Sequence, residues 1–431
     1  MNILDIIKAD IKRKEGKYPG RFYYSYKPKN INTENYYIKD GKEYSVKTKK
    51  TEVYINYFKM LVTQKIDYLL NKKPTYDKKL DTDGINIYTM LDKLLLNASL
   101  DSKAWLHVYV INNKLQYIII KDNEIIPEYT EDRKELKSLI RYFKLDDILH
   151  VEIWSKDGVK RMTFNKDNQL LDEKVMSHYT EYYYQGDTLE NTVYSNFESI
   201  PFICLENNKD VESDVDDIEN LIVVYNGICT GFVDNVEKFQ EALMVLRGYI
   251  GDKESIKKIM SDIQEAKGVS VPADGSLDYM KVDIPVEARS KLIEVLRDVI
   301  FLIGRGADPS KLGDGNITNV VIKSRYIELD SKSSDCIKRI IEFYDKLINF
   351  LNSFTNKGYD NSLEFNKSML INESETIDDC LKSLNMISLE TILKHHPFVD
   401  NVEDELIRIK AEKVIRDKEV NNENNDNNLD V

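Results

Sequence analysis

The chain has 431 residues, of which 42% are hydrophobic and 31% charged, a balance that suits two or three folded units and excludes general disorder. Sixty-one Lys and Arg against 74 Asp and Glu leave a net charge of −13. That excludes a protein that grips nucleic acid by neutralising many phosphates, though not one that nucleic acid passes without sticking.

The N-terminal MNILDIIKADIKRKEG scatters its charges and lacks the apolar core of a signal peptide, and no apolar run further on is longer than VIFLI at 299–303. A membrane span needs about 20 such residues, so the expectation is a soluble intracellular protein with no membrane partner. In TEVYINYFKMLVTQKIDYLLNKKPTY (51–76), Val53, Tyr57, Leu61, Ile66 and Leu69 recur at helical spacing until Pro74. A second helix is predicted over 86–101 from Ile87, Met90, Leu91, Leu94 and Leu95. From Trp105 to about 204 the texture changes to short alternating runs such as WLHVYVI, LQYIII and HVEIWSK. They are separated by NN, KDN, KDG and NKDN, which predicts an antiparallel β-rich unit.

The segment DVDDIENLIVVYNGICTGFVDNVEKFQEALMVLRGY (214–249) predicts one continuous helix of ~45 Å. Ile218, Leu221, Tyr225, Ile228, Phe232, Val236, Phe239, Leu243 and Leu246 form a narrow stripe with steps of three and four. Asp214, Asp216, Asp217 and Glu219 crowd its start, where the macrodipole favours anions. Gly227 and Gly231 weaken the helix but let a neighbour approach closely. Two readings stay open here: packing against other chains, or a long helix in one subunit's core. Residues 250–283 predict a small mixed segment, a helix followed by two short strands about an ADGS turn. A helix over 286–303 follows, opened by Pro285 and carrying Leu292, Val295, Leu296, Val299, Ile300 and Leu302. The loop GRGADPSKLGDGN (304–316) lacks the Lys-Ser/Thr pair of a phosphate loop, and Asp308, Ser310 and Asp314 lack calcium-loop spacing, so it reads as a mobile or tightly turned loop. A long helix over 317–356, ended by Gly358, precedes further helices over 376–416, and the Asn-rich VNNENNDNNLDV predicts a disordered end.

Catalytic chemistry finds no residues to stand on. Cys204, Cys229, Cys336 and Cys380 are far apart and read as packed, reduced thiols. His107, His150, His178, His395 and His396 have no second ligand at metal spacing, and GxxxxGK[ST], GxSxG and strand-borne GxGxxG are all missing. No enzyme activity, metal or cofactor is expected.

Five passages in a fixed order give the chain a resemblance. They are YFKMLVTQKIDYLLNKKPTY, YNGICTGFVDNVEKFQEALMVLRGY, VDIPVEARSKLIEVLRDVIFLIGRGADPS, GDGNITNVVIKSRYIELDSKS and SLETILKHHPFVDNVEDELIRIKAE. The chain resembles the portal proteins of tailed bacteriophages, in the family whose best-known member comes from a siphophage of Bacillus. The resemblance implies a helix-rich α+β portal fold and a ring of about twelve subunits at one vertex of the phage head. It implies a β-containing wing over 1–214, a stem helix over 215–247, a small α/β clip over 248–283 and a second stem helix over 284–305. A tunnel loop over 306–317, a long wing helix over 318–360, a helical crown over 361–420 and a disordered tail over 421–431 complete the division.

On that reading Arg305, Gly306, Asp308, Lys311, Gly313, Asp314, Gly315 and Asn316 belong to the channel loop, with Arg305 and Lys311 placed to touch phosphate transiently. The stripe Ile218, Leu221, Tyr225, Ile228, Phe232, Val236, Phe239 and Leu243 would form the stem's oligomer interface. The implied partners are further copies of the chain, double-stranded DNA, the large terminase, a head–tail adaptor, and major capsid and scaffold proteins. The implied location is the virion, with the host cytoplasm during assembly. A cytosolic oligomeric scaffold with no DNA role is the alternative from another class. A nuclease or hydrolase using scattered carboxylates is the weakest reading, because the acids sit at helix starts and on charged faces.

Overall fold

The computed structural model describes residues 2–39, 42–185, 188–239, 243–247, 276–280, 285–312, 318–368, 372–399 and 402–426. Helices α1 (Ile3–Lys14) and α2 (Pro19–Ser25) open the chain, ahead of a hairpin of β1 (Asn30–Lys39) and β2 (Lys42–Thr51). The sequence reading had no signal for these helices or this hairpin. Next come α3 (Tyr57–Leu70), the short β3 (Thr75–Tyr76), one turn of α4 (Lys79–Thr82) and α5 (Ile87–Asp101). Helix α5 starts as predicted, whereas α3 starts only at Tyr57 and leaves Val53 of the predicted stripe ahead of it; Asn56 and Asn86 cap the two by accepting from the backbone N–H groups of Lys59 and Thr89.

The β-rich unit follows as β4 (Lys103–Ile111), β5 (Lys114–Lys121), β6 (Ile125–Tyr129), β7 (Leu136–Leu145), β8 (Ile148–Ser155), β9 (Gly158–Phe164) and β10 (Leu170–Met176). It closes with β11 (Tyr179–Gln185), β12 (Thr188–Ser195) and β13 (Phe202–Glu206). The polar breaks turn the chain as expected. Asn112 and Asn113 carry φ of 50° and 59°, and Asp146 and Asp147 carry 48° and 62°, the two left-handed residues of a tight hairpin turn. Strands β6 to β10 make one antiparallel sheet in sequential order, and β13-β4-β5 make a second.

Strand β4 is buried on both faces. Ala104, Leu106 and Val108 point into the main core with α3 and α5, while Trp105 joins Ile120, Trp154, Val159 and Phe202 in a second core shared with the five-stranded sheet. Helix α1 covers that sheet elsewhere, with Leu4 and Ile7 against Tyr142, Val151 and Phe164.

The remaining elements are α6 (Glu219–Phe239), β14 (Leu243–Arg247), β15 (Ser276–Met280), α7 (Val286–Ile303) and one turn of α8 (Pro309–Leu312). They are followed by α9 (Asn319–Thr355), the short β16 (Leu363–Glu364), α10 (Glu373–Ser383), α11 (Leu389–His395) and α12 (Val402–Asp426). The predicted helix over 214–249 is corrected at both ends. Residues 214–218 form a turn ahead of α6, and 243–247 form a strand paired antiparallel to 276–280. An uninterrupted apolar run such as LMVLR satisfies either period, and a partner about thirty residues away decides it. The predicted strand upstream of the ADGS turn, and the helix before it, lie outside the described residues. Helix α12 continues to Asp426, into a segment whose composition predicted disorder. Among the described residues no helix is long and apolar enough to cross a membrane.

The C-terminal half of α9 belongs to the main core through Ile340, Phe343, Tyr344, Leu347 and Leu351. Its N-terminal half leaves Val320 and Ile327 exposed.

Candidate functional site

Helices α6 and α7 pack on one another, and only one end of the pair enters the core. Ile218, just ahead of α6, and Ile222, Tyr225 and Cys229 of α6 are buried there with Ile300 and Phe301 of α7. The Tyr57 ring of α3 meets Tyr225 and Phe301 edge-on, at 5.0 Å and 5.8 Å between centroids, which pins both helices to α3. Further along the pair the contacts thin out: Arg289 lies over the Phe232 ring at 5.7 Å, and Leu292 and Val295 are exposed, while at the anchored end Val223 and Val224 are exposed between buried Ile222 and Tyr225.

The end of α7 is built tightly. Gly306 N–H donates to the Phe301 carbonyl and Arg305 N–H to that of Leu302, and Arg305 sits at φ 52°. This is the double hydrogen bond that closes many helices, with an arginine at the left-handed position where glycine is usual. The glycines on either side serve close packing instead. A Cβ on Gly304 would come within 2.6 Å of Leu61 Cδ1, and one on Gly306 within 2.2 Å of Leu61 Cδ2. Of the two readings of this segment, mobile or tightly turned, Gly306 takes the second: α3 needs its bare Cα. Gly306→Ala is expected to lower stability by about 1–3 kcal/mol, because Leu61 is itself buried and cannot swing aside. A urea midpoint equal to the parent's would show that Leu61 yields freely.

Next along the chain, Ala307 is fully buried beside Tyr68, Ile322, Tyr326 and Leu329. Its N–H donates to Gln64 Oε1 at 2.9 Å, and its carbonyl accepts from Gln64 Nε2 at 2.7 Å. Asp308 accepts from the N–H and hydroxyl of Ser310 and faces Arg297 at 3.4 Å. Lys311 pairs with Asp298 at 2.9 Å, and that ammonium holds the Asp298 carboxyl below its ordinary value. Two ion pairs thus tie 308–311 back onto α7.

Beneath this junction lies a charged cluster that the sequence reading missed. Asp214, expected at an exposed helix start, is buried between two ammonium groups, Lys65 of α3 at 2.5 Å and Lys332 of α9 at 3.3 Å. Asn207 donates to Asp214 and accepts from Lys65, while Lys332 also donates to the Gly304 carbonyl. Burial alone raises the Asp214 carboxyl, but Lys332, Lys65 and Asn207 outweigh it and hold it well below the carboxylate range. Burial pulls the Lys332 ammonium down, and Asp214 only partly offsets this. The cluster joins α3, the start of α6, the end of α7 and α9. One signal was present in the sequence: Lys65 stands between Leu61 and Leu69 at i+4 spacing, on the buried face of α3, and such a lysine demands a buried acid.

The predicted interface stripe divides. Ile218 and Tyr225 are 0% and 4% exposed within this one chain, so little of either side chain is left for a neighbour. Leu221, Ile228, Phe232 and Val236 are half-buried. Leu243 lies in β14, off the helix, and the side chains of Phe239 and Leu243 lie outside the described residues. A Cβ on Gly227 or Gly231 would meet nothing within 4 Å, so no part of the described chain makes use of their small size. Of the loop residues, the structure brings Arg305, Gly306, Asp308 and Lys311 together against α3 and α7, and Arg305 is exposed. Gly313, Asp314, Gly315 and Asn316 lie outside the described residues.

A two-helix unit that encloses a strand pair and is anchored at one end agrees with the order of pieces in the resemblance, and the comparisons decide the family. The profile of the phage portal proteins described as SPP1 Gp6-like matches residues 7–418. The chain belongs to that family. It is 25% identical over 450 aligned residues to the portal protein of Clostridium phage phiCD119, with 97% of each chain covered. It is 24% identical to the portal protein of Bacillus phage SPP1, covering 82% of this chain and 74% of that one. A solved chain from the neck of a native GTA particle, computed with C12 symmetry, is 10% identical with a TM-score of 0.43, covering 77% of this chain and 86% of that one. As a portal, the chain is a structural component of the virion, a ring-forming subunit at the capsid vertex. The alternative of a scaffold unconnected with phage heads falls with that assignment.

Proposed function

We propose that about twelve copies of this portal chain close into a ring whose channel passes double-stranded DNA during packaging and ejection. In this reading residues 1–214 and 318–360 form the wing, 215–247 and 284–305 the stem, 248–283 the clip, 306–317 the channel loop, 361–420 the crown and 421–431 a tail. The large terminase and the head–tail adaptor dock on the ring, capsid and scaffold proteins surround it, and assembly takes place in the host cytoplasm. The channel itself does no chemistry; the motor's ATP hydrolysis belongs to the terminase.

The observation that carries the reading is the pair α6–α7, held by the core at one end, with Leu292 and Val295 exposed beyond that end and Val223, Val224 and Leu302 exposed beside it. Such surface is costly in water on a lone chain and is removed from it when identical neighbours pack side by side. Leu221, Ile228, Phe232, Val236, Phe239 and Leu243 remain the proposed stem contacts, with the open sides of Gly227 and Gly231 admitting a neighbouring helix. A net charge of −13 per subunit suits a conduit, since excess carboxylate offers phosphate no deep well in which to stick. Lys311 is held by Asp298, so of the two cations proposed to touch phosphate, exposed Arg305 is the readier.

Light scattering and negative-stain imaging of the purified chain, with its scaffold protein where assembly requires one, test the proposal. The expected result is a wide ring with a central hole. A monomer at micromolar concentration under both conditions would sink it. Replacing 309–316 by a short Gly-Ser linker is expected to spare the ring and block DNA packaging, and normal packaging would remove the loop from the mechanism.

A further inference from the structure

We propose that Gln64 is the positioning residue of the channel loop: it fixes the base from which the loop leaves α7. The inference rests on the reading of 306–317 as the loop that meets DNA, and it adds to that reading where the base is fixed and what holds it there.

The geometry is that of a peptide pair made by one side chain. The Gln64 amide accepts from Ala307 N–H and donates to Ala307 C=O, at 2.9 Å and 2.7 Å, so both polar groups of a buried residue are satisfied from a single planar head. Only an amide offers a donor and an acceptor together at this spacing. Glutamate has the same shape but only acceptors, and its carboxylate would face the Ala307 carbonyl. The surroundings leave little slack. Ala307 is buried, Gly306 rests on Leu61 and Phe301, and Lys332 holds the Gly304 carbonyl at 3.1 Å. Residues 304–307 are thus attached to α3 and α9, not to the loop.

Past Ala307 the character of the contacts changes. The ties there are the ion pair Arg297–Asp308, in which the Asp308 side chain is still only 8% exposed, and Lys311–Asp298, in which both side chains reach solvent. An exposed pair like the second is weak and is screened by salt. The boundary between a fixed base and a weakly tied segment therefore falls after Asp308. A loop of fixed origin exerts a defined reaction on a passing duplex, whereas one whose base drifts does not.

The test compares full-length rings carrying Gln64→Glu or Gln64→Met with the parent. Hydrogen exchange of the peptide spanning 305–308 reads the clamp directly. The slip frequency of DNA packaged against load reads its consequence, which ring stability alone would not move. The expected result is rings of normal size, exchange at Ala307 faster by at least about tenfold, normal initiation of packaging, and slips several-fold more frequent in both variants. Unchanged exchange would overturn the proposal, because Ala307 would then be held by something else. Faster exchange with unchanged slips would overturn it too, provided the Gly-Ser loop replacement still blocks packaging. If that replacement also packages normally, the channel-loop reading fails, and the positioning role fails with it. Should Gln64→Glu fail to assemble, Gln64→Met, which brings no charge, carries both measurements.

Discussion

Asp214→Asn is expected to destabilise the subunit by about 3–5 kcal/mol, the usual cost of leaving a buried charge without its partner. Here two ammonium groups lose the same carboxylate: Lys65 and Lys332, whose side chains are 1% and 16% exposed. Because the cluster joins α3, α9 and the ends of α6 and α7, the damage should reach all four helices. A urea titration checks it, and a loss below about 1 kcal/mol would mean that water already reaches the site. The triple variant Lys65→Met, Asp214→Leu, Lys332→Met should recover most of the loss, since apolar groups of similar volume often replace a buried ion cluster at little cost. The pH dependence follows from the lowered carboxyl. Its contribution is complete above the unfolded value near pH 4 and is lost as pH falls through the folded value. Asp214→Asn should therefore flatten the acid limb of the stability curve.

The β-rich unit carries the opposite kind of group, and its effect lies in a different pH window. His107 on β4 is stacked on Phe202 at 4.2 Å with the rings nearly parallel, and Trp154 meets it edge-on at 4.7 Å. Neither ring nitrogen has a hydrogen-bond partner among the described residues. Burial, with lesser help from Arg141, Arg161 and His178, pushes its pKa down to about 3. The folded protein thus excludes the charged ring, whereas the unfolded chain protonates it below about 6.5. Stability is unaffected above that value and falls as pH drops from 6.5 towards 3. At pH 4 the loss is about 3 kcal/mol. His107→Phe keeps the stacked ring and removes the proton site. It should match or exceed the parent at pH 7 and exceed it by about 3 kcal/mol more at pH 4. Parallel stability curves for the two proteins between pH 4 and 7 would mean that the ring titrates normally.

Where local pattern alone sets the structure, it was legible. The i, i+3, i+4 spacing of Ile87, Met90, Leu91, Leu94 and Leu95 corresponds to a helix running from Ile87 to Asp101. The polar dipeptides at 112–113 and 146–147 became tight turns because side-chain oxygens tolerate left-handed backbone. The reading failed where a distant partner intervened. Residues 243–247 left the predicted helix to pair with 276–280, and Asp214 left the predicted helix start for the space between Lys65 and Lys332. Periodicity does not record which partner is present, so a stripe of threes and fours looks the same whether the apolar side faces its own core or a neighbour. At the candidate site the sequence left 304–316 as a mobile or tightly turned loop, and the role of Gly306 depends on Leu61 lying against it.

Taken by itself, the sequence determined the order of the pieces: helices, a β-rich unit, two helices around a small insert, a glycine-bearing loop and a long helix. It determined the family as well, because a collinear series of apolar patterns survives divergence that erases individual residues. Only the tertiary structure decided that Ile218 and Tyr225 belong to this chain's own core, that Gln64 holds Ala307, and that two lysines share one buried carboxylate. The reason is physical. Backbone geometry repeats over a few residues and leaves its period in the sequence. Burial, close approach and charge pairing join residues as far apart as Gln64 and Ala307, 243 positions, and leave no local trace.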